Sequence, residues 1–243
     1  MPTLPRAILF DLDDTLLSAY ADPERAWNSV LKEFAPQLAP LDPKRLTDAL
    51  TNFSNEFWSD PEQHRYWRLR LHEARYKIVS TVFKRLSNEE FSLEDQLAKT
   101  IALRFNEFRE EQMYLFPGAR ETLQTLQEAG VLLALVTNGP SELQRGKITR
   151  FDLARHFHHI QIEGEHDFGK PDERAYTHAM QALAVEAHET WMVGDNLEWE
   201  VAAPQRLGIH AIWHDARARG LPKGSHVRPD RIICNLRELL GEG

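Results

Sequence analysis

Cysteine is almost absent from this chain of 243 residues, which has only Cys234. An intramolecular disulfide is therefore excluded, and so is a metal site built from cysteines. Cys234 lies in the apolar run Ile232-Ile233-Cys234, so a buried strand thiol is expected there. Long hydrophobic runs are lacking as well. None approaches the ~18 residues of a membrane span. The opening Met1-Pro2-Thr3-Leu4-Pro5-Arg6 has neither the apolar region nor the small-residue cleavage site of a secretion signal. The expectation is a soluble cytoplasmic protein with no membrane partner. An excess of basic charge is also missing: 29 Lys and Arg face 37 Asp and Glu, for a net charge of −8. Such a balance speaks against a nucleic acid polymer as partner. It leaves room for a small anion held by a few local cations. There is no internal repeat and no low-complexity tract. Nothing in the sequence specifies an oligomeric state.

What is present is an alternation. Short runs rich in β-branched residues occur at Ala7–Phe10, Val131–Val136, Trp191–Val193, Ile209–Trp213 and Arg231–Cys234. Bounded runs of this kind read as buried parallel strands. Helical patterns separate them. Leu123 and Leu126 share a face in Ala119–Ala129, with Gly130 suited to the position just past a helix end. Pro171 is expected at the first turn of a helix over Asp172–Leu183. Strand-helix alternation predicts an α/β fold, a doubly wound Rossmann-like parallel sheet. From Ser18 to Met113 no convincing strand run appears. Asp22-Pro23, Asp42-Pro43 and Asp60-Pro61 each set an N-cap aspartate before a proline, and Ser87–Glu90 and Ser92–Asp95 look like capping boxes. We expect residues 18–113 to form an inserted all-helical domain and residues 1–17 with 114–243 to form the α/β core.

Polar groups cluster where the predicted strands end. Asp11 and Asp13 follow the first run, and alternate residues of an extended chain share a face. With Asp14 they place three carboxylates within four residues, which repel one another unless a cation intervenes. Thr137-Asn138-Gly139 closes the Val131–Val136 run and offers a hydroxyl and backbone N–H groups to phosphate oxygens. Lys170 precedes a predicted helix, where an ammonium would offset clustered anions. Gly194-Asp195 ends the Trp191–Val193 run, with Glu198 and Glu200 close behind. Asp195 suits a hard, oxygen-seeking metal such as Mg²⁺.

In this order and spacing, the four elements resemble the motif set of the haloacid dehalogenase superfamily, with the helical insert matching its cap domain. The stretch Thr137-Asn138-Gly139-Pro140-Ser141-Glu142-Leu143-Gln144-Arg145-Gly146-Lys147 is similar to the TNG-x4-Q-x2-K pattern of the branch holding N-acylneuraminate-9-phosphatase and pyrimidine nucleotidases. That branch usually has Asp where this chain has Glu200, one methylene longer. The resemblance implies a Mg²⁺-dependent phosphatase acting on a small-molecule phosphate monoester. Asp11 would be the nucleophile that becomes an aspartyl-phosphate, and Asp13 the acid and then the base. Thr137 and Asn138 would hold phosphate oxygens and Lys170 would steady the anions. The metal would be bound by Asp11, the Asp13 main-chain carbonyl and Asp195, with Glu200 in support. Haloacid dehalogenases release halide and typically lack an acid at the position of Asp13. A phosphomutase shares all four motifs and would differ in product. A non-catalytic binding protein is the third alternative, against which Asp11, Asp13 and Lys170 all stand. Two further segments draw notice. His64–Arg70 mixes cations with aromatic rings and is expected mainly as a solvated helix face. The run His156-Phe157-His158-His159 is expected to be helix-end and surface histidines rather than a metal site.

Overall fold

The computed structural model describes residues 4–19, 22–87 and 94–241. The chain divides into two compact units, one of Met1–Ser18 with Tyr114–Gly243 and one of Ala19–Met113.

The second unit is helical throughout its described residues: α1 (Pro23–Glu33), α2 (Ala35–Leu38), α3 (Pro43–Ser59), α4 (Pro61–Trp67), α5 (Leu71–Leu86) and α6 (Asp95–Glu111). The three Asp-Pro pairs do what their chemistry predicts. Asp22, Asp42 and Asp60 each accept backbone N–H bonds at a helix start that carries proline in its first turn. Of the two expected capping boxes, Asn88–Glu90 and Ser92-Leu93 lie outside the described residues. Ser87 ends α5, and α6 starts behind Glu94 without a side-chain cap bond. The unit has a core of its own, in which Trp27 stacks on Phe105 with ring centroids 3.6 Å apart. In the His64–Arg70 segment Arg65 and Tyr66 are exposed, as expected, but Arg68 is buried.

The first unit holds strands β1 (Ala7–Phe10), β2 (Leu17–Ser18), β3 (Tyr114–Leu115), β4 (Leu132–Thr137), β5 (His159–Ile162), β6 (Thr190–Gly194), β7 (His210–His214) and β8 (Arg231–Ile233). Its helices are α7 (Ala119–Glu128), α8 (Ser141–Arg150), α9 (Glu173–Leu183) and α10 (Ala203–Arg206). Six strands form one parallel sheet in the order β5-β4-β1-β6-β7-β8. β2 and β3 make a separate antiparallel ribbon, Leu17 opposite Leu115. All of β1 is buried. Ala7 and Leu9 pack with Ala134, Val136, Met192 and the α9 residues Tyr176 and Ala179, while Ile8 and Phe10 are buried on the opposite face. A sheet covered on both sides explains why its strands read as continuous apolar runs rather than alternating ones.

Numbered along the sheet strands alone, the order is 3-2-1-4-5-6, the doubly wound arrangement predicted from the sequence. The chain leaves β1 toward one edge, then returns to build the other from β6. The carboxyl ends of β1 and β6 therefore flank the point where winding reverses, which is where such folds bind ligands.

Two expectations need correction. Cys234 is exposed rather than buried, because β8 is an edge strand ending at Ile233, and of Ile232-Ile233-Cys234 only Ile233 points inward. Pro171 is not in the first turn of α9. Asp172 caps that helix by accepting from the Arg174 N–H, so Pro171 lies before the cap, joined to Lys170 by a cis peptide. Among the described residues, no helix is long and apolar enough to cross a membrane.

Candidate active site

Asp11 is the first residue after β1 and its backbone N–H still bonds to Val193 O of β6, 3.0 Å away. Its carboxylate is buried and held at both oxygens. Lys170 Nζ lies 2.6 Å from Oδ1, and Thr15 Oγ1 donates to Oδ2 at 2.9 Å. Thr15 is fully buried one short turn further on. Its hydroxyl was not singled out from the sequence, although its place four residues after Asp11 was a usable signal.

Lys170 is 1% exposed and touches a second carboxylate, Glu200 Oε1, at 2.8 Å. Burial works against its charge, but Asp11 and Glu200 outweigh it and hold the ammonium charged. The backbone of Lys170 is fixed by Asn138, whose side chain accepts from Lys170 N at 2.9 Å and donates to Lys170 O at 2.7 Å. The Asn138 side chain is thus a clamp between the ends of β4 and the segment before α9. Gly169 permits this approach, since a Cβ there would lie 2.6 Å from Glu163 Cδ and 2.8 Å from Asn138 Oδ1.

Glu200 lies in the π-helical turn Leu197–Ala202, capped by the Asn196 side chain. Its Oε2 accepts from Asn196 N at 2.8 Å. Burial pushes its carboxyl up to about 7 despite the pull of Lys170. It folds back over Gly194, where a Cβ would come within 2.0 Å of Glu200 Cγ, so only glycine fits. Both oxygens of Glu200 are therefore engaged by Lys170 and the 196 N–H. Glu198, by contrast, is exposed and pairs with Arg206.

Asp195 directly follows β6. Its main-chain carbonyl accepts from Trp213 Nε1 at 2.6 Å. Although the residue is partly open to solvent, its carboxyl lies deep. Burial, then Glu200, Asp11 and Asp14, push it well above the usual carboxylate range, with only Lys170 acting the other way. Among the described residues its carboxylate accepts no hydrogen bond and forms no ion pair. An under-compensated carboxylate facing other carboxylates is a place for a cation. Among the described residues no three Asp, Glu, His or Cys side chains converge to chelate one. The donors on hand are the Asp11 and Asp195 carboxylates with main-chain oxygen. That hard, sparse set fits Mg²⁺, which is held by one or two carboxylates and keeps several waters.

Asp13 is turned to another partner. Lys147 Nζ contacts both of its oxygens, at 2.8 and 2.7 Å, and Gln144 Nε2 donates to Oδ2 at 3.0 Å. The same Gln144 Nε2 lies 2.6 Å from Thr137 Oγ1. Thr137, the last residue of β4, is thereby tied to Asp13 through one amide. The sequence places Gln144 and Lys147 in a pattern but does not say that they face Asp13. The sequence also gives no sign of Glu163, a buried acid whose Oε2 accepts from Gly139 N at 3.1 Å.

The run His156–His159 disperses. His156 bonds to Gln127, His158 accepts from Leu133 N, and His159 packs near His178. These histidines do not converge on one point.

A set of side chains of this composition at the winding reversal of a parallel sheet fits an enzyme that handles phosphate-sized anions. The model of the haloacid dehalogenase-like hydrolases matches residues 5–208, and the chain belongs to that family. A phosphoserine phosphatase of Thermus thermophilus is 40% identical over 134 residues, 54% of this chain and 53% of its own length. The chain thus spans about half of that relative. The pyrimidine 5′-nucleotidase PynA of Streptococcus pneumoniae is 27% identical over 234 residues, 96% of this chain and 92% of its own. It belongs with the branch that the TNG-x4-Q-x2-K pattern resembles. Among solved structures, the hydrolase YfnB of Bacillus subtilis, bound to magnesium, superposes with a TM-score of 0.70 at 23% identity, covering 98% of each chain. At that identity the likeness speaks for the fold.

Proposed function

We propose that this chain hydrolyses a small-molecule phosphate monoester in the cytoplasm through an aspartyl-phosphate on Asp11, with Mg²⁺ as cofactor. At the level of class it is a phosphoric monoester hydrolase. The observation that carries the reading is the setting of Asp11 at the winding reversal: it is fixed by Lys170 and Thr15 and shares its electrostatic environment with the under-compensated Asp195.

The Asp11 carboxylate attacks phosphorus, and the bond from phosphorus to the ester oxygen breaks. The electron pair goes to the leaving oxygen, which takes a proton from Asp13. Water then attacks the aspartyl-phosphate, its proton passes to the Asp13 carboxylate, and the bond to Asp11 breaks with its electrons returning to that carboxylate. Splitting one displacement into two is the gain of a covalent nucleophile. Thr137 Oγ1 and the main chain at Asn138 bind phosphate oxygens, and Lys170 keeps Asp11 and Glu200 from repelling one another. The Asp11 and Asp195 carboxylates and the Asp13 carbonyl would hold Mg²⁺, which when bound neutralises charge between carboxylate and phosphate. Glu200 supports that shell through Lys170 and the Asn196 N–H. Substrate choice is assigned to the inserted helical unit, because the phosphate machinery lies wholly in the other.

The test is phosphate release from phosphoserine, glyceraldehyde 3-phosphate, phosphoglycolate, sugar phosphates and nucleoside monophosphates, with Mg²⁺ and with excess EDTA. Release that needs Mg²⁺ and falls by at least about 10³-fold in Asp11→Asn is expected. A tenth of wild-type rate remaining in Asp11→Asn, or full rate in EDTA, defeats the reading. An isomeric sugar phosphate as the product, without free phosphate, favours a mutase.

A further inference from the structure

We propose that Gln144 and Lys147 are positioning residues that set the Asp13 carboxylate as the base for the second half of the reaction, the hydrolysis of the aspartyl-phosphate. This rests on the roles given above to Asp11 and Asp13.

Three observations lead to it. The first is the number of bonds on Asp13. A carboxylate held at one oxygen still rotates about its own axis, whereas Asp13 has Lys147 on both oxygens and Gln144 on one. The second is that the amide has only one sensible orientation. Gln144 Oε1 accepts from Lys147 Nζ at 2.7 Å. An ammonium has only donors, so the Gln144 NH₂ must face Asp13 and Thr137. A flipped amide would set donor against donor. One side chain therefore fixes both the base and the hydroxyl assigned to a phosphate oxygen. The third is that the dyad is itself fixed. Gln144 and Lys147 lie three apart on α8 and so share a face. The start of that helix is pinned by Glu163-Gly164-Glu165. Glu163 takes the Gly139 N–H, Gly164 N donates to Gly139 O at 3.0 Å, and Glu165 accepts from Ser141 Oγ at 2.6 Å and from Arg145 at 2.7 and 2.6 Å. A Cβ on Gly164 would fall 2.5 Å from Ser141 N, so the clamp needs glycine there. A lysine spent on solvation would not be this enclosed. Lys147 keeps about a tenth of its side-chain surface.

Held in this way by Lys147 and Gln144, Asp13 takes the water proton in the second half of the reaction. The step it serves adds the water oxygen to phosphorus, moves the water proton to Asp13 and returns the electron pair of the breaking P–O bond to Asp11. Misplacing a base by about 1 Å is enough to cost about 10²-fold.

The experiment follows p-nitrophenyl phosphate with Mg²⁺ in a stopped-flow instrument, with acid quenching and mass spectrometry of the protein. Its leaving group needs little help from an acid, so the first turnover reports attack by Asp11 and the steady state reports hydrolysis. For Lys147→Met we expect near wild-type release in the first turnover, a steady-state rate lower by about 10–100-fold, and accumulation of phosphorylated protein. Lys147→Arg should restore most of the steady-state rate. Gln144→Leu also frees Thr137, so it should slow the first turnover somewhat but still accumulate phosphorylated protein, and it serves if Lys147→Met does not fold. Asp13→Asn provides the reference and should accumulate the phosphorylated form most strongly. If Asp13→Asn accumulates it while Lys147→Met and Gln144→Leu slow both phases equally without it, the dyad only supports the fold and the inference falls. If Asp13→Asn itself accumulates none, the role given to Asp13 is wrong, and the inference falls with it.

Discussion

Lys170→Met removes the charge at the centre of the site while nearly keeping its volume. The ammonium is 1% exposed and bridges Asp11 at 2.6 Å and Glu200 at 2.8 Å. Removing one partner of a buried pair typically costs about 3–5 kcal/mol, because the other charge is left uncompensated. The remaining carboxylates have an escape, which is to take up protons. Burial already pushes Glu200 to about 7 from the 4.5 of a free glutamate, and Asp195 is raised as well. A carboxyl raised in the folded state contributes stability that is present below its unfolded value and is lost as pH rises through the folded one. For Glu200 that window runs from 4.5 to about 7 in the wild type. Without Lys170 it extends upward. The damage in the metal-free variant should therefore be small near pH 5 and full near pH 8. At about 2–4 °C per kcal/mol for a chain of this size, a fall in Tm of roughly 6–20 °C is expected at about pH 8. Differential scanning calorimetry in EDTA at both pH values is the assay. Glu200→Gln in the Lys170→Met background should recover part of the loss, since the two sites are in contact and their effects are not additive. The same drop in Tm at both pH values would refute the electrostatic account and leave only lost packing.

Three other outcomes follow from the same geometry. Mg²⁺ must displace protons from the raised Asp195, so the rise in Tm on adding Mg²⁺ should be larger at about pH 8 than at about pH 5.5; an equal rise would put the metal elsewhere. Glu200→Gln should raise the Mg²⁺ midpoint of activity by about 10–100-fold, with much of the rate recovered at saturating metal, and an unmoved midpoint would remove Glu200 from the metal's support. In the inserted unit, exposed Arg65 and buried Arg68 should part company. Arg65→Ala should leave stability within about 0.5 kcal/mol and shift the kcat/KM ratio between two substrates, whereas Arg68→Ala should destabilise by about 1–3 kcal/mol.

The strands of the core were legible where burial alone decides. β1 is apolar at every position because both faces of the sheet are covered, and β4, β6 and β7 were found to within a residue or two for the same reason, whereas β8 was found at the sheet edge with only Ile233 buried. β5 was not legible. Its sequence His159-Ile160-Gln161-Ile162 carries two polar side chains, and the needs of Gln161 are met only in the folded chain. Gln161 is buried because it donates to Ala175 O and accepts a bond from His178. No local pattern announces a strand whose polar residues find partners on a helix further along. Cys234 failed for the converse reason: a run of three apolar residues was read as buried, but at a sheet edge only alternate residues turn inward.

For the site the division follows from what a linear chain can encode. Asp11, Thr137 and Asp195 were legible because each lies at the end of an apolar run, and strand ends converge in a parallel sheet whatever the intervening helices do. Lys170 was legible only through the order of the motifs, since a lysine before a helix is ordinary. Its partner Glu200 was visible as an acid, but its direction was not. That direction depends on Gly194, which lets the side chain fold back over the strand, and on the Asn196 N–H that holds it there. A glutamate one methylene longer than the usual aspartate can reach the ammonium across that glycine. The substitution thus turns on the room at Gly194 as much as on charge. Gln144 and Lys147 mark the limit. Their spacing places them on one helical face, but which face meets Asp13 is set by the Glu163–Glu165 clamp about twenty residues away. The chemistry of single residues was readable from the chain, whereas the aim of those residues came from contacts between segments that no local pattern links.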